Sequence, residues 1–156
     1  MSKAGVMLSA RILAELKELS ILVERIREGW ERSKLKSDDY YLDGVALNLH
    51  GFYSGLERIF EKTASLIDGN VPTGANWHQE LINQMNIEVP GTRPPVISSE
   101  LKDALEDYRG FRHVVRNVYT YHLNPEKIER LVTKIREVFE KTDAELTAFA
   151  RFLQSV

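Results

Sequence analysis

Between Asp107 and Glu126 the chain carries no carboxylate, yet Arg109, Arg112, His113, Arg116 and His122 all fall in that interval. The run Phe111-Arg112-His113-Val114-Val115-Arg116-Asn117-Val118-Tyr119-Thr120-Tyr121-His122 holds two of the four histidines of a 156-residue chain whose net charge is only -2. Guanidinium groups present permanently charged donors that match phosphate oxygens and can stabilise charge on a pentavalent phosphorus. Histidine titrates near neutrality, so it can accept a proton from a hydroxyl or return one to a leaving oxygen. Asn117 and Thr120 add neutral hydrogen bonds, and Tyr119 or Tyr121 can stack on a base. Together these residue types fit RNA as ligand, with its 2′-hydroxyl as nucleophile and no metal required.

The segment must be placed by a helix. Ser98 or Ser99 can cap it, Glu100 and Asp103 lie near its start, and Leu101, Leu105, Tyr108, Phe111, Val115 and Val118 mark a buried face. At about 100° per residue, Arg112, Arg116 and Tyr119 share one flank of that stripe, while His113 and Asn117 point more nearly outward. Asn124-Pro125, a cap followed by a first-turn proline, forces a change of direction. His122 therefore stands at the helix end, roughly 9 Å of rise beyond Arg116, a gap that two side chains converging on one phosphate can bridge.

The remaining elements read as helices too. Leu8, Ile12, Leu16, Leu19, Val23, Ile26 and Trp30 step by three and four, predicting a first helix over about 8–34. A second starts after Ser37 as N-cap, with Asp38 and Asp39 in its first turn, and runs through Val45, Leu49, Phe52, Leu56, Ile59 and Leu66 to a stop at Gly69. Within it Gly51, Ser54 and Gly55 permit close approach of a neighbour. Trp77, Leu81, Ile82 and Met85 predict a short helix, about 76–87, held between two irregular, proline-containing connections. After Asn124-Pro125, Ile128, Leu131, Ile135, Val138, Thr142, Leu146, Phe149 and Leu153 form the stripe of a last long helix. With no strand signal, the prediction is all-α: one domain over 1–156, an antiparallel up-and-down helical bundle of four main helices plus one short helix. Wide stripes on long helices also predict a homodimer.

Composition removes several function classes. The absence of cysteine excludes disulfides and thiolate metal sites and points to a reducing cytoplasm. Lys3, Arg11, Glu15, Lys17 and Glu18 interrupt any apolar run before signal-peptide or membrane-spanning length, so no membrane association is expected. None of His50, His78, His113 or His122 has glutamate three residues before it, so the di-iron bundle pattern is missing, as is a Gly-x-x-x-x-Gly-Lys phosphate loop. No metal and no cofactor is expected. Plainer roles exist for each residue. The arginines can pair with Glu57, Glu61 or Asp43, His122 can cap helix carbonyls, His78 can bond a backbone group beside a packing Trp77, and His50 can be structural.

Arg116-Asn117, the five residues separating Arg116 from His122, and the helical setting resemble the Arg-x(4-6)-His signature of HEPN domains. Tyr53-Ser54-Gly55-Leu56-Glu57-Arg58-Ile59-Phe60-Glu61, Val71-Pro72, Trp77-His78-Gln79-Glu80-Leu81 and Met85 are similar to the HepT-like branch of that superfamily. The resemblance covers about residues 8–150. It implies an all-α homodimer, a metal-independent ribonuclease toxin, and a minimal nucleotidyltransferase as antitoxin. It assigns Arg116 to binding and stabilising the phosphate, Asn117 to assisting, and His122 to acid or base; Arg112, Tyr119 and His113 join as phosphate or RNA contacts. His113, next to Arg112, is the alternative catalytic histidine. One departure stands out: HepT toxins silenced by adenylylation carry tyrosine two residues beyond the motif histidine, where this chain has Asn124, although Tyr119 and Tyr121 lie close by. A second functional class is a noncatalytic helical partner that binds a nucleotidyltransferase or its nucleotide through the same arginines.

Overall fold

The computed structural model describes residues 2–156, so Met1, at the head of the expected domain, lies outside the described residues. Helix α1 spans Lys3–Leu35, α2 Tyr41–Thr63, α3 Trp77–Met85, α4 Ser99–Asn117 and α5 Pro125–Ser155. The periodic stripes are the cause. Leu8, Ile12, Leu16, Leu19, Val23 and Ile26 of α1 are all buried, as are the eight stripe residues of α5 from Ile128 to Leu153. Caps set the ends: Ser98 accepts from the Leu101 amide, Asn124 from the Glu126 amide, and Gly69 closes the second element at φ 67°.

Four helices close into a ring in which every neighbour runs antiparallel. Glu15 of α1 meets Arg58 of α2; a Cβ on Gly29 would meet Val45. Arg112 of α4 reaches Ser54 and Glu57 of α2. Between α4 and α5, Ser98 binds Glu145 while the Tyr108 hydroxyl donates to the Leu131 carbonyl. Gln154 bonds Ser9 and Arg136 reaches Glu24, closing α5 onto α1. This is the up-and-down bundle of four main helices plus one short helix. Gly55 marks the tightest crossing: a Cβ there would sit 2.6 Å from Glu15 Oε1 and 3.0 Å from Leu19 Cδ2.

Boundary expectations are corrected at three places. Ser37 does not cap α2. At φ 48° it is the left-handed residue that ends α1, where the Asp38 amide donates to Ser33 and the Ser37 amide to Lys34, a Schellman motif. Helix α2 starts at Tyr41 instead, after the Asp38 carboxylate has taken the Tyr40 amide. Past Thr63 the helix continues as one π turn, Ala64–Asp68, whose extra residue shifts the phase; Leu66 is turned out to 46 % exposure and Ile67 packs inward instead. Finally α4 stops at Asn117, so Val118 is extended and exposed rather than part of the buried face. There Asn117 Nδ2 bonds back to the His113 carbonyl at 2.7 Å, and the β-branched and aromatic residues that follow are poor helix formers.

The connection from α2 to α4 is built around a buried arginine. Pro90-Gly91, with Gly91 at φ 73°, makes a type II turn closed by the Thr92 amide on Val89. Arg93 is then carried inward, where its Nε and Nη2 bond both Asp68 oxygens at 2.6 and 2.7 Å while it also reaches the Gln84, Ile87 and Pro94 carbonyls. Burial of this cation is possible because its donors are matched. Through Arg93 and Gln84, the π turn, α3 and the irregular chain are tied together, and that fixes where α3 lies against α2.

Candidate functional site

Two helices line one cleft of about 500 Å³, Trp77 and His78 coming from α3 and Arg109, Arg112, His113, Arg116 and Asn117 from α4. Residues 109, 112, 113 and 116 recur at i, i+3, i+4 and i+7, so a single turn-by-turn face of α4 carries them. Beneath it, α2 offers His50, Ser54 and Glu57 at i, i+4 and i+7.

Glu57 is the organising group. It is 3 % exposed, set in the apolar stripe between Leu56 and Ile59. One of its oxygens, Oε2, lies 2.7 Å from His78 Nδ1, and the other, Oε1, 3.7 Å from Arg112 Nη2. Arg112 Nε also donates to Ser54 Oγ at 3.0 Å, so its planar head is held in one direction. The expectation that His78 bonds a backbone group is thus corrected: its partner is a carboxylate from another helix. The Trp77 ring packs against the His78 ring, with centroids 3.6 Å apart and the planes tilted by 30°. Arg109 is neutralised by Glu106 at 2.9 Å, and Glu106 also accepts from Gln79. Among the described residues Arg116 enters no ion pair, and it is exposed at the cleft rim.

The positive field of the site is read by its neighbours. His50 has its pKa lowered from 6.5, first by burial and then by Arg112 and Arg116, against an opposing pull from Glu57. Burial, with Glu57 adding, pushes the Tyr53 phenol well above the ordinary tyrosine range and keeps it neutral.

The expected site residues divide into two groups. Arg112, His113, Arg116 and Asn117 come together in the cleft; His113, expected to point more nearly outward, is exposed and lines the wall of that open cleft. Tyr119 does not continue their flank, because α4 has ended; it precedes a 3-10 turn, Thr120–His122. There Tyr119 and Tyr121 stack at 5.7 Å with 9° between ring planes, exposed at 71 % and 77 %, and His122 meets Tyr121 edge-on at 4.4 Å. Leu123 turns back into the core immediately after. The cleft thus has an arginine and histidine wall, with the aromatic turn following the helix that bears it. Glu57, Ser54 and His78 were not singled out as functional by sequence. The one available signal was a glutamate inside an apolar stripe, since a buried carboxylate demands a partner.

An all-α ring of antiparallel helices with an arginine and histidine cleft between α3 and α4, backed by Ser54 and Glu57 of α2, defines the class. A family model described as HepT-like protein matches residues 44–153, from the start of α2 to the end of α5, and the chain belongs to that family. No curated protein and no solved structure matches significantly. Among the described residues no helix is long and apolar enough to cross a membrane.

Proposed function

We propose that this protein is a metal-independent endoribonuclease, the toxin-like member of a pair whose other member is a minimal nucleotidyltransferase. The observation that carries the reading is the convergence of Arg112, Arg116, His113 and Asn117 on one open cleft. Arg116, outside any ion pair among the described residues, engages the scissile phosphate; Arg112, held by Ser54 and Glu57, presents fixed positive charge beside it. The stacked, exposed tyrosines 119 and 121 offer ring faces to an unpaired base. Either His122, approaching from the turn, or His113, already in the cleft wall, transfers a proton during 2′-hydroxyl attack. The cleft geometry favours His113 for the same phosphate that Arg116 holds.

Cleavage of an RNA oligonucleotide in EDTA by wild type, Arg116→Ala, His113→Ala and His122→Ala tests this. Expected is a loss of about 100-fold or more for Arg116→Ala, and a larger loss for His113→Ala than for His122→Ala. A wild type that cuts nothing, and that binds a nucleotidyltransferase equally well after all three changes, removes both this reading and that of a noncatalytic phosphate-binding partner. The homodimer belongs to the same proposal. Met7 and Ile21, 54 % and 60 % exposed, lie fourteen residues apart on the outer side of α1, with Val6 and Leu13 also exposed, and a second copy is the occupant that would cover them.

A further inference from the structure

The cleft contains an imidazole that the reading above leaves unused. His78 lies in the wall with one edge turned to solvent and the other to Glu57, whose carboxylate is 4 % exposed. A carboxylate only accepts hydrogen bonds, so the 2.7 Å contact places the ring hydrogen on Nδ1. In the neutral ring Nε2 is then a lone-pair acceptor, and with Nδ1 engaged it is the nitrogen left to the cleft. The tilted contact with Trp77 and the Glu57 bond together hold the ring plane. A carboxylate that fixes tautomer and orientation, and that stabilises the imidazolium once formed, is the arrangement that makes a histidine an effective base.

We propose that His78 is a catalytic histidine of this site, the general base of RNA cleavage, with Glu57 as its positioning residue. The proposal rests on the ribonuclease reading. His78 Nε2 takes the proton of the 2′-hydroxyl as the bond from the 2′-oxygen to phosphorus forms. The bond from phosphorus to the 5′-oxygen breaks, and that oxygen leaves with the proton of a protonated His113. The products are a 2′,3′-cyclic phosphate and a 5′-hydroxyl, and the two histidines return to their starting states by proton exchange with water. The charged and titratable groups around His78 are Glu57 from α2 and Arg109, Arg112, His113 and Arg116 from α4.

The test compares wild type, His78→Gln and Glu57→Gln on an RNA oligonucleotide in EDTA across pH 5 to 9. Affinity is measured separately by fluorescence anisotropy on the 2′-deoxy oligonucleotide of the same sequence. His78→Gln is expected to cleave about 10²- to 10⁴-fold more slowly with little change in affinity and without the acidic limb of the pH profile. Glu57→Gln is expected to show a smaller loss with that limb displaced. His78→Gln cleaving at the wild-type rate while Arg116→Ala is inactive overturns the proposal and leaves the nuclease standing. A wild type that cleaves no RNA overturns both. Nitrogen-15 NMR of the imidazoles supplies a readout that does not depend on turnover or on the variants folding. The Nδ1-H tautomer is expected for neutral His78, and the Nε2-H tautomer overturns the assignment.

Discussion

At the scale of single residues, the site is a set of cations whose surroundings differ more than their sequence spacing implies. Arg109, Arg112 and Arg116 recur along one helix, yet Glu106 neutralises the first, Glu57 and Ser54 orient the second, and only the third stands outside an ion pair among the described residues. His50 reports their field. Because burial and then the two arginines lower its pKa from 6.5, the folded protein binds that proton less readily than the unfolded chain. Stability from this group is therefore intact above about pH 6.5 and declines as pH falls from there toward the lowered value, below which the loss is complete. Proton NMR titration should place His50 below 6.5 in wild type and nearer to it in Arg116→Gln. No upward movement in the variant would separate His50 from the arginine cluster. Glu57→Ala should be more damaging to stability than Glu57→Gln, since it leaves Arg112 and His78 without their partner; paired thermal melts give the comparison.

At the scale of elements, the short α3 carries His78 but has little core of its own, so its position depends on the connection that Arg93 ties down. Arg93→Ala removes the partner of a buried Asp68 and should cost about 3–5 kcal/mol, with denaturant unfolding as the measurement. Arg93→Lys should recover little, because one ammonium cannot reproduce the two bonds to Asp68 and the three to carbonyls. A variant within about 0.5 kcal/mol of wild type would contradict the staple. The crossing of α1 and α2 makes a second demand. Gly55→Val has to displace Leu19 as well as the mobile end of Glu15, and about 1–3 kcal/mol of destabilisation is expected. Calorimetry should show that as a fall in Tm of about 2–4 °C for each kcal/mol.

For the molecule as a whole, the ring of four antiparallel helices turns its stripes inward and leaves apolar residues on the outer side of α1. If a second copy covers them, the double variant Met7→Asp, Ile21→Asp should be monomeric by light scattering while its helical circular dichroism is unchanged. A wild type that is already monomeric at all concentrations would remove the dimer. The bundle itself was legible in the chain, because a helix needs only local periodicity and a cap. The α1 and α5 stripes, the α4 stripe from Leu101 to Phe111, the caps at Ser98 and Asn124 and the stop at Gly69 all follow from residues within a few positions of one another.

The places where sequence reading went astray are those where one residue's conformation answers to a distant one. Ser37 serves the end of α1 rather than the start of α2, the π turn brings Asp68 to Arg93 and turns Leu66 outward, and Asn117 closes α4 before Tyr119 can join its flank. By itself, the sequence determined an all-helical chain with arginine, imidazole and phenol concentrated in one acid-free run, since composition and local spacing carry that information. Only the tertiary structure decided which imidazoles share a cleft with those arginines. Glu57 and His78 stand 21 residues apart on different helices, and Ser54 and Arg112 58 apart. No local period encodes such pairs; they form because a buried carboxylate and a half-buried guanidinium must find partners wherever the packed helices place them.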